Sequence, residues 1–244
     1  MGTLLLRLAG PMQAWGTQSR FTERDTGLEP AKSGVVGLLC AALGRPRREP
    51  VDDLAALRMG VRVDHEGTLA VDYHTAGGTH RLGESYGVYK ASGAAPSTVV
   101  SRRYYLADAD FLVGLEGEGE LLRLLERALR EPTWQLCLGR KSLVPGVPVW
   151  VPDGLCLDLD LETALGRYPW PGLGVALPPA EWRPERVRLV LETAGGTEVR
   201  RDQPIGAAFQ ERRFALRQVQ TTFLALGSQV PIREDGRCTS LASS

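Results

Sequence analysis

Apolar residues recur along the chain with two different periods, and the change from one to the other predicts its elements. Residues 3–9 form a leucine-rich run with weak alternation, as in a central strand covered on both faces. A long polar loop follows and ends at Ser33, a good helix cap. Val35, Val36, Leu38, Leu39, Ala42 and Leu43 then fall on a helical stripe, with Gly34, Gly37 and Ala41 on one side where a neighbouring backbone can come close. Gly44 suits the position past the helix end, and Pro46 forbids continuation.

Beyond a charged linker at 45–49, residues 51–57 predict a short helix and 59–64 a strand, with a turn at Glu66-Gly67 leading into a hairpin partner at 69–75. Residues 77–101 are rich in Gly, Ser and Thr and poor in aliphatics, which marks a functional or disordered insertion. Strand character resumes at 102–115. Residues 118–130 predict the clearest helix, with Leu121, Leu122, Leu124, Leu125, Ala128 and Leu129 inward and Arg123, Glu126, Arg127 and Arg130 outward, stopped by Pro132. A strand is expected at 134–139, turns with short extended pieces over 143–184, a hairpin from 187–192 and 197–201, an extended run at 214–226 and a frayed tail at 238–244. The N-terminal order is β-α-β-β-α-β, the ferredoxin-like plan shared by RNA-recognition domains. The expected class is therefore α+β, with a ferredoxin-like domain over 1–145 and a second unit over 146–244.

Composition narrows the chemistry. The 244 residues, 43% hydrophobic and 24% charged, can bury a real core. No apolar stretch approaches the ~20 residues of a membrane span, and the N-terminus lacks signal-peptide features, so a cytoplasmic protein is expected. Cys40, Cys137, Cys156 and Cys238 stand far apart and read as reduced thiols; His65, His74 and His80 show no metal-ligand spacing. Net charge is zero, so a nucleic-acid site would have to be a local patch. Of the basic residues 26 are arginine, which suits phosphate contacts and base stacking, although a GC-rich or thermophilic genome gives the same bias and is favoured on composition alone. The three lysines, Lys32, Lys90 and Lys141, each lie close to serine and glycine, as in phosphate-cradling backbone.

Residues 27–34, GLEPAKSG, nearly match a nucleotide-hydrolase phosphate loop, but Ala31 stands where glycine is needed and the first strand is too distant, which argues against that activity. What survives is a helix start with free N–H groups at Ser33, Gly34 and Val35 beside Lys32; an ordinary capped helix with a solvated lysine is the competing reading. Upstream, Trp15 and Phe21 alternate with Gln13, Arg20 and Arg24. Stacking on bases and anchoring the loop in the core are equal alternatives for the two aromatics, whereas arginines of such a loop suit phosphates. No GxSxG or HExxH occurs; a metal-independent ribonuclease would need only a base and a cation, which Tyr86, His74, His80 and Lys90 could supply.

The series MQAWG, SRF and AKSGVVGLL, followed by LGRKS at 138–142 and RRFALRQV at 212–219, resembles the CasD family, subunits of the type I-E CRISPR Cascade complex that bind the 5′ handle of the guide RNA (crRNA). The resemblance implies a ferredoxin-like, RRM-like domain of the RAMP superfamily, a smaller β-rich C-terminal part, and a β-hairpin thumb at about 77–101. It implies an RNA site at Gln13, Trp15, Gly16, Arg20, Phe21, Arg24, Lys32, Ser33, Gly34, Arg140, Lys141 and Ser142, with His80, Tyr86, Lys90, Arg102 and Arg103 as thumb candidates. The implied partners are the crRNA 5′ handle, the Cascade backbone subunit and its large subunit, with target DNA met only through the complex, no membrane, no cofactor and no metal. The related I-C subunit is itself a repeat-cleaving ribonuclease; this sequence resembles the non-catalytic I-E form, and metal-independent cleavage of the CRISPR repeat is the alternative. A neutral chain that binds RNA is expected to bind tightly only within its assembly.

Overall fold

The computed structural model describes residues 1–16, 22–81, 84–88, 97–170 and 184–225, with backbone alone for 78–81 and 84–86. In chain order the elements are β1 (Gly2–Ala9), β2 (Met12–Gln13), β3 (Glu23–Arg24), α1 (Lys32–Leu43), α2 (Asp52–Ala55), β4 (Arg58–His65) and β5 (Thr68–Ala76). They continue with β6 (Gly78–Arg81), β7 (Glu84–Tyr86), β8 (Val99–Ala107), β9 (Asp110–Gly117), α3 (Gly119–Arg130) and β10 (Trp150–Cys156). The last are α4 (Leu161–Arg167), β11 (Arg186–Glu192), β12 (Glu198–Pro204), α5 (Ala208–Glu211) and β13 (Phe214–Ala225). The protein is thus mixed α/β with mostly antiparallel pairing.

Seven strands form one sheet in the order β10-β1-β9-β4-β11-β13-β12, every neighbouring pair antiparallel. In β1, Leu4, Leu6 and Leu8 point to the face covered by α1 and α3, while Leu5 points to the face covered by α4. Burial on both sides explains the absence of polar alternation there. On the α4 side Gly60 of β4 pairs with Gly114 of β9, and together they make a shelf for that helix. A Cβ at Gly114 would lie 2.6 Å from Leu161 Cδ1, and one at Gly60 2.8 Å from Leu165 Cδ1. Asp160 caps α4, its Oδ1 accepting from the Thr163 N–H at 2.8 Å.

Several expectations are corrected. Residues 134–139 form no strand, because their backbone bonds are spent elsewhere: Trp134 N–H donates to Ala41 O and Leu138 O accepts from Ala14 N–H. The strand after α3 is β10, and the stretch expected to be turns also holds α4. The strands β11 and β12 do turn at Ala194-Gly195-Gly196, but they do not pair, since β13 lies between them. In α3, Leu124 faces solvent while Leu122, Leu125 and Leu129 are buried. The sheet also runs across residue 145: β10 joins β1, and β11 joins β4.

The expected strand at 102–115 breaks at Asp108, which has φ 56°, and β4 and β5 likewise separate at Gly67, φ 72°. The result is one long hairpin bent at a corner. Its lower half, β4 with β9, belongs to the main sheet, and its upper half, β5 with β8, continues for nine paired residues as a second sheet. Strands β2 and β3 add to the other edge of β8, the latter in parallel.

The α4 side is fixed by a fully buried ion pair. Arg62 Nε and Nη2 donate to the two Asp64 oxygens at 2.7 and 3.0 Å, and its remaining N–H groups reach the carbonyls of Leu165, Tyr168 and Pro169 at 2.6, 2.7 and 3.2 Å. Burial pushes the Asp64 carboxyl up to about 6, against the pull of Arg62. Truncating one partner leaves a desolvated charge unpaired, so Asp64→Ala should lower the unfolding free energy by about 3–5 kcal/mol. Glu120→Ala, which removes the exposed partner of Arg123, should cost under ~0.5 kcal/mol. Urea denaturation of the two variants checks the contrast.

Candidate nucleic-acid interface

The polar loop after β1 is anchored from inside. Gln13 is fully buried: its Nε2 donates to Leu8 O at 2.9 Å and Ala109 O at 2.7 Å, and its Oε1 accepts from the Trp15 indole at 3.0 Å. Trp15 is buried too and packs against α1, where a Cβ at Gly34 would come within 2.9 Å of its ring. The neck of the loop closes through Trp15 N–H to Thr26 Oγ1 and Gly27 N–H to Trp15 O. Of the two readings of Trp15, core anchoring prevails, and Gln13 and Trp15 position the loop without facing solvent. Arg20, Phe21 and Lys90 lie outside the described residues, as do the side chains of His80 and Tyr86.

The helix start is also corrected. The first residue of α1 is Lys32, and Ala31 occupies the cap position without a side-chain bond, so Ser33 lies inside the first turn. Asp202 of β12 takes the place expected for an external anion, its Oδ2 accepting from the Lys32 N–H at 2.7 Å. The Lys32 side chain is only 1% exposed, and its Nζ donates to both oxygens of Glu192 at 2.9 Å. Arg217 completes the cluster, donating to both Asp202 oxygens at 2.7 and 3.0 Å and lying 3.6 Å from Glu192. Burial holds the Lys32 ammonium below its usual pKa, opposed by Glu192. A carboxylate at a helix N-terminus meets the same free N–H groups and dipole that a phosphate would use.

The segment after α3 returns to this loop as a clasp. Gly139 has φ 91°, and a Cβ there would overlap the Ala14 carbonyl. Arg140 Nη2 donates to Arg24 O at 2.9 Å and Asp25 O at 3.2 Å, and its guanidinium stacks 4.6 Å above the Tyr105 ring. Its Nη1 is buried with no hydrogen-bond partner among the described residues. Lys141 and Ser142 are exposed. Pairing of β3 with β8 sets Glu23 beside Arg102 and Arg24 beside Arg103. The fold therefore brings Arg24, Arg102, Arg103, Arg140 and Lys141, far apart in sequence, into one basic region.

Next to that region a groove of about 680 Å³ runs along α1. Five of the sequence-predicted residues line it: Trp15, Gly16, Ser33, Gly34 and Lys141. So do residues that the sequence reading passed over, among them Arg45, Arg47, Trp134 and Phe209. Arg45 and Arg47 read as linker, and Trp134 as strand; the signal available was an aromatic residue shortly past a helix-stopping proline. Arg45 is held by Asp53 through bonds of 2.6 and 2.8 Å, and it keeps the Asp53 carboxyl below its usual pKa. Exposed cations beside aromatic rings suit a single-stranded nucleic acid. Among the described residues no group of His, Cys, Asp and Glu could hold a metal ion, and no helix is long and apolar enough to cross a membrane.

Residues 3–220 match the family described as CRISPR-associated protein (Cas_Cas5). The chain belongs to that family. This Cas5 chain is 36% identical over 180 residues to the Escherichia coli (strain K12) protein CRISPR system Cascade subunit CasD, covering 68% of this chain and 76% of that one. A solved structure described as a crystal structure of a Cas protein superposes with a TM-score of 0.73 at 48% identity, covering 94% of this chain and 98% of the other. A chain from a CRISPR RNA-guided surveillance complex superposes with a TM-score of 0.76 at 34% identity, covering 96% and 95%. The resemblance read from residues 12–39 is borne out at the level of the family.

Because the buried Lys32 side chain pairs with the partly exposed Glu192 carboxylate, Lys32→Ala should destabilise the Cas5 fold by about 2–4 kcal/mol, through lost packing and a broken pair. Ser33→Ala, away from the cap position, should change stability by less than ~0.5 kcal/mol. Equilibrium unfolding in urea distinguishes them; equal losses would contradict the assignment of the helix start.

Proposed function

We propose that this chain is a non-catalytic RNA-binding subunit of a type I-E CRISPR surveillance complex, holding the 5′ handle of the crRNA. In this reading it caps the backbone filament beside the large subunit in the cytoplasm and meets target DNA only through the complex. The observation that carries it is the groove along α1 with its basic rim, where Lys141 and Arg47 stand at the groove and Arg24, Arg102, Arg103 and Arg140 lie beside it. A local patch of this kind answers the neutral net charge. The names of its relatives, a Cascade subunit and an RNA-guided complex, agree with such a role.

The strand order β10-β1-β9-β4, with α1 following β1 and α3 following β9, supports a ferredoxin-like reading of the N-terminal part. The bent ribbon and the β6–β7 pair are where the thumb would lie. On the same reading β11, β12 and β13 are the β-rich C-terminal part, joined edge to edge with the first.

Replacing Arg24, Arg102 and Lys141 together by alanine removes three exposed cations and no buried pair. The variant should assemble poorly with crRNA, and the salt dependence of its RNA binding should fall by about 2 in log–log slope, at ~0.7 per single-strand phosphate contact. Unchanged crRNA retention in a pull-down would overturn the binding role. A single product at the handle boundary, formed from labelled repeat RNA in EDTA, would overturn the non-catalytic one.

A further inference from the structure

The groove contains a feature that phosphate binding alone leaves unexplained. Trp134 is a large aromatic residue, yet 48% of it is exposed at the groove's edge. It is not loose. Its own N–H donates to Ala41 O at 3.0 Å and the preceding Thr133 N–H to Ala42 O at 2.9 Å, so the last turn of α1 holds this backbone in place. The opposite wall is aromatic as well: Phe209 and Phe214 meet edge to face with centroids 6.4 Å apart, and Phe209 lies over Gly37, 3.6 Å from where a Cβ would stand. Between the walls the floor is Gly34, Gly37 and Ala41. At two of the positions where a neighbouring backbone is expected to come close, the neighbour is instead an aromatic ring, Phe209 at Gly37 and Trp15 at Gly34, and among the described residues the space above is open.

We infer that this groove is a slot for an unpaired nucleobase of a single-stranded RNA, stacked on the Trp134 indole, with the flanking phosphates on Lys141 and Arg47. The inference rests on the RNA-binding reading above and adds what the groove recognises. The volume lies within the ~300–1,000 Å³ typical of sites that enclose small ligands. The charges also fit: Lys141 and Arg47 are exposed and form no ion pair among the described residues, whereas Arg45 is already held by Asp53. An aromatic platform between free cations matches the alternation of base and phosphate along a single strand. A base inside a duplex cannot enter, because its faces are already stacked and its edge paired. Stacking tolerates every base, so the slot senses that a base is unpaired more than which base it is.

The test uses the full chain, a short single-stranded RNA carrying 2-aminopurine, and the same RNA annealed to its complement. The wild type should bind the single strand and quench the 2-aminopurine, and bind the duplex more weakly. Trp134→Ala should weaken single-strand binding about 5- to 150-fold, the range one stacked base commands, and abolish quenching with the salt slope unchanged. Trp134→Phe should restore most of both. Lys141→Ala should keep the quenching and lower the salt slope by about 0.7. If Trp134→Ala binds and quenches like the wild type while Lys141→Ala is weakened, the slot is wrong and RNA binding stands. If the wild type binds neither RNA, the RNA-binding reading itself falls. Loss of a protein neighbour from the complex on Trp134→Ala, with RNA affinity unchanged, would make the groove a protein seat and overturn the proposal.

Discussion

Two cations and two carboxylates, the buried Lys32 and Asp202 with the partly buried Arg217 and Glu192, close on one another and tie the first turn of α1 to the last strands of the chain. Buried charge persists only when it is paired, so these four residues fix one relative placement of helix and sheet. Neighbouring contacts extend the constraint. Glu29, three residues before the helix, accepts from Arg188 of β11 at 2.8 Å and from Arg200 of β12 at 3.2 Å. The loop that carries Arg24 is thus held by C-terminal strands on one side and by the Arg140 clasp on the other. The basic region inherits its shape from parts of the chain that do not belong to it.

Arginine usage takes on a different meaning in this light. Composition alone favours a genomic bias, yet several arginines occupy places that need a planar fork. Arg62 divides its donors among a carboxylate and three carbonyls, and Arg217 grips Asp202 with two parallel bonds. Arg140 sits over the Tyr105 ring while reaching two carbonyls. An ammonium group could satisfy none of these geometries. Part of the cationic content is scaffolding, and the residues left for a polyanion are those on the rim.

Local periodicity made β1, α1, α3 and the run of β13 legible, because each is decided by which side chains face a core. Pairing was not legible. Nothing near Lys32 announces that its partners stand at 192 and 202, and the free helix start read from residues 31–35 is filled by a carboxylate 170 residues away. The turn at 194–196 looks like a hairpin because the third strand, which separates its arms, comes later in the chain. The resemblance to a family pointed to one stretch of chain but could not separate side chains that hold the loop, such as Gln13 and Trp15, from those that face outward. Burial makes that distinction, and it is a property of the whole fold.

Among the described residues the seven-stranded sheet ends in two unpaired edges, β10 and β12, and each is blunted by its own sequence. Along β10 the register with β1 slips between Leu4 and Leu6, and Pro152 has no N–H to offer. Along β12 the ladder slips between Arg200 and Gln203, the strand carries Glu198, Arg200 and Arg201, and it ends at Pro204. Neither border presents the unbroken row of donors and acceptors that would template another strand. Through this sheet, copies of the chain are therefore poor seeds for one another. A chain with such borders leaves its associations to its faces, its loops and the separate ribbon of β5 and β8.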